Sequence, residues 1–309
     1  MSHVLVTGCS AGIGLATALT LARSGHTVCA TMRNLDRGSF LRETVETEKL
    51  SVLMLPLDVD SDESVTQALS AIRSRIGFIE VLVNNAGIEH TGSIEELPLQ
   101  VFRATMETNY FGALRCIRAC LPEMRERRSG CIVNVTSVAG RIAISPLAPY
   151  VAPKFALEAL SEALAQEVKP FDIRVAIVEP GIIATAMADR IAEPAQSRYP
   201  HVCRFPGIFQ AALANPVSAS VVAEKIREII ESGTWQLRHP IGPDAQPFLS
   251  WRASMTDEEW VSWGALDDTA WYERVQKDFG LDARPKGERS QQLMRNHFGG
   301  PRLSNIHGS

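Results

Sequence analysis

No uncharged apolar run in these 309 residues comes near the roughly 18 that a membrane-spanning helix needs, so none is expected. A leader is not expected either, because His3-Val4-Leu5-Val6 runs straight into a glycine-rich turn and leaves no room for a cleavable segment. Cysteine is sparse. Cys9, Cys29, Cys116, Cys120, Cys131 and Cys203 contain no C-x-x-C pair, and most lie in apolar strand or helix contexts, where a free thiol is a small core residue. Cys116 and Cys120 share a helix face, but no histidine or carboxylate pattern joins them and the seven histidines are scattered, so no structural metal is expected. These features suit a reducing compartment, the cytoplasm. A net charge of −4 gives no general electrostatic reason to bind nucleic acid. There is no internal repeat. With 45% apolar and 21% charged residues, the chain can build an ordinary globular core as one large α/β domain or two small ones.

What is present is alternation. Apolar β-branched runs at His3–Val6, Thr27–Thr31, Ser51–Leu55, Glu80–Val83, Cys131–Val135 and Ile173–Val178 predict strands. Helical spacing separates them at Ile13–Arg23, Asp62–Ile76, Pro98–Glu126 and Tyr150–Val168. Ser61 ahead of Asp62 and Glu63 has the form of an N-cap with first-turn acids. Continuous apolar strands between amphipathic helices predict a doubly wound parallel sheet with helices on both faces and ligands at the strands' carboxyl ends. Residues 182–215, rich in proline and aromatics, are too long for a simple connection and read as a lid or binding loop. A helix at Ser218–Glu231, ended by Gly233, and a short strand near Thr234–Arg238 complete residues 1–243. Residues 244–309 form an extension holding Trp251, Trp260, Trp263 and Trp271, with a capping box at Thr256 and Glu259 and a polar tail expected to fray after about 285.

Tyr150 and Lys154 fall one turn apart on a helix face, with Ser137 upstream beyond a strand's end. A nearby cation favours a phenolate, so the pair could poise the phenol for proton transfer near neutrality. The same spacing also suits a solvated helix face. Thr7-Gly8-Cys9-Ser10-Ala11-Gly12-Ile13-Gly14 follows a strand and opens a helix. Glycines there let the backbone approach a pyrophosphate at a helix N-terminus, although the spacing is G-x-x-x-G-x-G and tight packing alone would also use glycine.

Taken together, Thr7-Gly8-x3-Gly12-Ile13-Gly14, Asn84-Asn85-Ala86-Gly87, Asn109, Ser137, Tyr150-x3-Lys154 and Pro180-Gly181 resemble the short-chain dehydrogenase/reductase family in order and spacing, over residues 3 to about 238. The first turn, Ala30-Thr31-Met32-Arg33 and the long extension look most like its 17β-hydroxysteroid and retinol dehydrogenase branch. The resemblance implies a Rossmann-type fold and a catalytic set of Asn109, Ser137, Tyr150 and Lys154. Tyr150 would be the general acid in ketone reduction and the base in alcohol oxidation. Lys154 would lower the tyrosine pKa and hold the nicotinamide ribose, Ser137 would bind the substrate oxygen, and Asn109 would hold a water linking Lys154 to solvent. Besides Tyr150 and Lys154, the implied cofactor contacts are Gly8, Ser10, Gly12, Ile13 and Gly14 in the turn, and Asn85, Ala86 and Gly87 beside it. Asp58 and Val59 would meet the adenine, and Pro180, Gly181, Ile183 and Thr185 the nicotinamide. Pro153 departs from the family, which more often has serine there; proline is tolerated in a helix's first turn, so the helix should begin close to Pro149 or Tyr150.

At the end of the second strand, where an acid would bind a ribose 2′-hydroxyl, the chain has Thr31, with Arg33 two residues on. Arginine suits a 2′-phosphate, which favours NADP(H) over NAD(H), unless Arg33 is a loop residue paired with Asp36. His90 reads as a surface residue. Met187, Tyr199, Phe205 and Phe209 could wall an apolar pocket, covered by the tryptophans if those do not simply pack the extension down. The expected activity is interconversion of a carbonyl and an alcohol on a lipophilic substrate such as a steroid, retinoid or aromatic ketone. The alternatives are a 3-oxoacyl thioester reductase and an NADP(H)-sensing regulator without turnover. By resemblance the chain would be a homodimer or homotetramer joined through its two long helices.

Overall fold

The computed structural model describes residues 1–285; the tail expected to fray lies outside them. Strands β1 (His3–Thr7), β2 (Thr27–Met32), β3 (Val52–Pro56), β4 (Val81–Asn84), β5 (Gly130–Val135), β6 (Ile173–Pro180) and β7 (Arg238–Ile241) form one sheet in the order β3-β2-β1-β4-β5-β6-β7. Every pairing is parallel. The helices are α1 (Gly12–Arg23), α2 (Ser39–Glu48), α3 (Asp62–Ile76), α4 (Leu99–Met106), α5 (Gly112–Arg127), α6 (Ala148–Val168), α7 (Ala186–Ile191), α8 (Pro200–Arg204) and α9 (Pro206–Ala212). They continue with α10 (Ala219–Ser232), α11 (Ala245–Ala253), α12 (Asp257–Gly264) and α13 (Asp268–Phe279).

Alternate residues of each strand feed opposite cores. Val4, Val6, Val28 and Val133 pack with α1 and α10, while Leu5, Cys29, Leu82 and Ile132 pack with α3, α5 and α6. Both faces are therefore apolar, which is why the strands read as unbroken hydrophobic runs. Ser61 caps α3 as expected, its Oγ accepting from the Ser64 N–H at 3.2 Å. Ser218 and Gly233 bound α10, with Gly233 at φ +69.

Several elements differ from the sequence reading. Helix α2 was not anticipated: Leu41 is its buried residue while Phe40 is exposed, so no apolar stripe marks it. The last strand is displaced to Arg238–Ile241, where Pro240 is tolerated because β7 is an edge. Pro98–Glu126 is two α-helices joined by a π turn at Glu107–Phe111. Helix α6 starts at Ala148, one residue before the expected Pro149, so Pro153 is its sixth residue and lies just past the first turn. Residues 182–215 contain α7, α8 and α9.

The tryptophans build a third core. Trp263 and Trp271 are buried with Val275 against Leu147 and Val151 of α6 and its approach, and against Phe205 and Ile208. The Thr256–Glu259 capping box is formed. Where α9 meets the end of the extension the backbones approach so closely that a Cβ on Gly207 would lie 1.9 Å from the Ala283 carbonyl oxygen.

Two carboxylates are buried where β5, β6 and α6 converge. Glu158 accepts a hydrogen bond from the Thr136 hydroxyl at 2.6 Å and one from Arg238 Nε at 3.1 Å. Glu179 has no exposed surface, and Arg141 and Arg238 stand 3.6 and 3.9 Å from it, too far for good hydrogen bonds. Burial, with the Glu158 charge beside it, pushes Glu179 up to about 7. The folded chain thus keeps a proton on Glu179 that the unfolded chain releases near 4.5, so stability falls as pH rises between those values and stays lower above 7. Glu179→Gln should be near-neutral at acidic pH and stabilising above pH 7, by on the order of 2 kcal/mol, in chemical denaturation. An equal difference on both sides of that window would contradict the assignment.

Candidate active site

The strand order reverses between β1 and β4, and the glycine turn sits at that switch point. The Thr7 hydroxyl accepts from the N–H groups of Asn85 and Ala86, both at 3.0 Å, and Asn85 Nδ2 donates back to the Thr7 carbonyl at 2.9 Å. This clasp holds the ends of β1 and β4 together. Gly8 and Gly12 have φ of +74 and +58, and a Cβ on Gly14 would lie 2.3 Å from the Gly8 carbonyl oxygen. No side chain caps α1, whose N-cap is Ala11, so its first N–H groups face the turn without a side-chain acceptor. A dipole end with free donors and a floor too close for side chains fits a pyrophosphate. Ser10 and Ile13 are half-buried in the same turn.

Thr185 closes the turn from the other side: a Cβ on Gly12 would meet its Cγ2 at 3.3 Å. Its hydroxyl caps the short α7, accepting from the Ala188 N–H. Pro180 and Gly181 precede it. Gly181 has no room for a side chain because Asp244, from the extension, is packed against it and accepts from the Ile182 N–H at 2.8 Å. That tie between the extension and the loop after β6 had no signal in the sequence.

Arg33 lies exposed past β2 and makes no ion pair with Asp36 among the described residues. Thr31 is buried, its hydroxyl donating to the Val6 carbonyl at 2.9 Å, so it is not turned outward. Asp58 is half-buried and accepts from the Asp60 N–H, while Val59 packs under Gly112. Arg33 and Asp58 both act electrostatically on Asp60, which places them around one end of the groove.

At the opposite end lies an apolar cavity of about 170 Å³. Ile13, Ser137, Tyr150, Pro180, Gly181, Ile183 and Thr185 line it together with Met187, Phe205 and Phe209, as the sequence suggested. Tyr199 does not line it. It is exposed and bonds Glu95, while Arg190 pairs in a two-pronged contact with Glu89 at 2.9 to 3.0 Å. Ser137 Oγ accepts from the Ala139 N–H at 3.1 Å.

Lys154 is buried, its Nζ donating to the Val135 carbonyl at 2.9 Å and standing 5.5 Å from the Tyr150 ring centre. Dehydration lowers its pKa to about 8, opposed by the charge of Glu158. Tyr150 moves the other way. Dehydration raises its phenol to about 12 despite a hydrogen bond with Ser137, so the expected lowering toward neutrality is not found in this chain alone. Asn109 lies within the π turn; its Oδ1 accepts from the Ile88 N–H and its Nδ2 donates to the Ile88 carbonyl, both at 2.8 Å. The π turn thus aims Asn109 at the loop that follows Gly87. His90 is exposed.

Comparison with known proteins identifies the family. Residues 2–196 match the family model described as short chain dehydrogenase. Retinol dehydrogenase 8 of Bos taurus is 41% identical over 209 residues, 66% of this chain and 64% of that protein, so the chain matches just under two thirds of that relative's length. The 3-ketodihydrosphingosine reductase of Bacteroides thetaiotaomicron is 40% identical over 187 residues, 60% of this chain and 65% of that one. A solved short-chain dehydrogenase from Streptomyces avermitilis superposes with a TM-score of 0.72 at 35% identity, covering 86% of this chain and 98% of that one. The chain therefore belongs to the short-chain dehydrogenase/reductase family.

Proposed function

We propose that this enzyme interconverts a carbonyl and an alcohol on a lipophilic substrate with NADP(H). The observation that carries this reading is the cavity itself, where the hydroxyls of Tyr150 and Ser137, with those of Thr136 and Thr185, interrupt an otherwise largely apolar, aromatic enclosure. Such walls select apolar surface and leave orientation to a few polar groups.

The uncapped α1 terminus and the Gly8–Gly14 floor would hold the pyrophosphate, with Asn85 to Gly87 beside it and Ile183 and Thr185 at the nicotinamide. When bound, the dinucleotide supplies or takes up the hydride. Tyr150 donates the proton to the substrate oxygen, and burial keeps its phenol protonated through neutral pH. Ser137 steadies the negative charge that develops on that oxygen. Lys154 uses one of its donors on Val135, which leaves others for the ribose hydroxyls. Asn109 holds the Ile88 loop and the water through which Lys154 would be resupplied with protons.

No described helix is long and apolar enough to cross a membrane, which supports a place in the cytoplasm. Exposed Phe111 and Phe155, on the π turn and α6, support pairing of two or four copies through those helices.

Tyr150→Phe should lower kcat at least ~100-fold while cofactor affinity, read by fluorescence titration, stays within a few-fold of the parent. Near-normal turnover would end the mechanism. Arg33→Ala should weaken NADPH about tenfold or more and leave NADH little changed; equal losses would remove the case for NADP(H). Lys154 loses its proton as pH rises through about 8, so kcat/KM for reduction should be flat below that pH and fall above it. A profile that keeps rising into alkali would show that the ammonium is not required.

A further inference from the structure

A second cleft of about 320 Å³ lies behind the catalytic cavity, between the loop before α6, helix α8 and helix α12. Ile144, Trp260 and Trp263 line both spaces, so the two indoles form a partition between them. The rings are stacked, 5.4 Å apart with 11° between their planes. Their situations differ. Trp263 is buried and also packs against Trp251 and Trp271, so it belongs to the core. Trp260 is half-buried and is held in place by a hydrogen bond from its Nε1–H to the Ala143 carbonyl at 3.0 Å.

Past the partition the chemistry remains suited to hydrocarbon. Of the ionisable side chains lining it, Arg204 is already bonded to the carbonyls of Gly264 and Leu266 and to Asp268 and lies 4.7 Å from the Trp271 ring centre, and His201 Nε2 is bonded to the Gly264 carbonyl at 2.7 Å. With both groups engaged, the cleft offers little to a polar ligand. The cleft opens to the surface at Val261, which is 69% exposed.

We propose that Trp260 sets the length of substrate the enzyme accepts, and that the cleft behind it takes the alkyl end of longer substrates once the indole is removed. The proposal rests on the catalytic cavity being the substrate site. Because Trp260 lines the same cavity as Tyr150 and Ser137, an alkyl group extending from a carbonyl held at those hydroxyls toward the partition would stop at the indole. Each further methylene must then displace the ring and break its bond to Ala143, or stay in water. Trp260→Ala joins the two spaces, and each methylene that enters gains the ordinary burial energy, about fourfold in affinity.

The test uses aryl n-alkyl ketones lengthened one methylene at a time. For each, kcat/KM is measured with NADPH and Kd by titration calorimetry, on the wild type, Trp260→Ala, Trp260→Phe and the double variant Trp260→Ala/Ala265→Trp. Near-ultraviolet circular dichroism verifies the fold. The wild type should improve with length and then break sharply. Trp260→Ala should move the break to longer chains, gaining about fourfold per added methylene. Trp260→Phe, which keeps a ring there, should hold the break close to the wild-type length. Ala265→Trp, filling the cleft from its far wall, should restore the shorter limit. A folded Trp260→Ala that keeps the wild-type break overturns the proposal. Ketones that bind with a length break but are not reduced would overturn the proposed activity alone, since the break is also read in Kd.

Discussion

The charge on Lys154 has almost no water around it, and the neighbouring elements are arranged to make that tolerable. Removing an ammonium from solvent costs several kcal/mol unless acceptors and counter-charge replace the lost hydration. The Val135 carbonyl at the end of β5 is one replacement, and Glu158, one helical turn further on α6, is the nearest counter-charge. Glu158 is itself buried and depends on Thr136 and Arg238. A single buried cation therefore couples α6 to β5 and to β7, and the crowding of negative charge reaches Glu179 on β6. Ser137, two residues past β5, and Tyr150, on α6, stand beside the groups this network fixes.

The groove divides its labour by polarity. Around β1 and β4 it is built of backbone groups, glycines and the Thr7–Asn85 clasp, a surface that meets charge with dipoles fixed in advance. Beyond Thr185 it becomes hydrocarbon, closed by side chains from the extension. Asp244 joins the halves, because a residue of the extension fixes the backbone at Ile182 within the loop that would receive the nicotinamide. Changes in the roof can thus be felt at the reacting end.

The sheet was legible because strands buried on both faces leave unbroken apolar runs, and the α3 and α10 boundaries because Ser61, Ser218 and Gly233 act locally. Helix α2 was not, since one buried leucine makes no pattern. The π turn was hidden inside a continuous helical period; only the contacts of Asn109 with Ile88 give it a purpose. Of the candidate site, the cavity gathers Ser137, Tyr150 and the 180–185 segment, whose spacing in sequence could be compared with a known pattern. Glu179 and Asp244 were missed because their importance comes from what folds against them. The direction of the Tyr150 shift was missed for a related reason: sequence shows a neighbouring lysine, but not how little water either side chain retains.

Gly207 makes α9 slightly poorer as a helix, by about 1 kcal/mol relative to alanine. In return the polypeptide of the extension lies directly on that of the helix, main chain to main chain at Ala283. A seat of this kind depends on no particular side chain facing the cavity. The lining at Met187, Phe205, Phe209 or Trp260 can be exchanged while the lid stays anchored, so descendants of this sequence could acquire new substrate preferences by redecorating the walls without rebuilding the room.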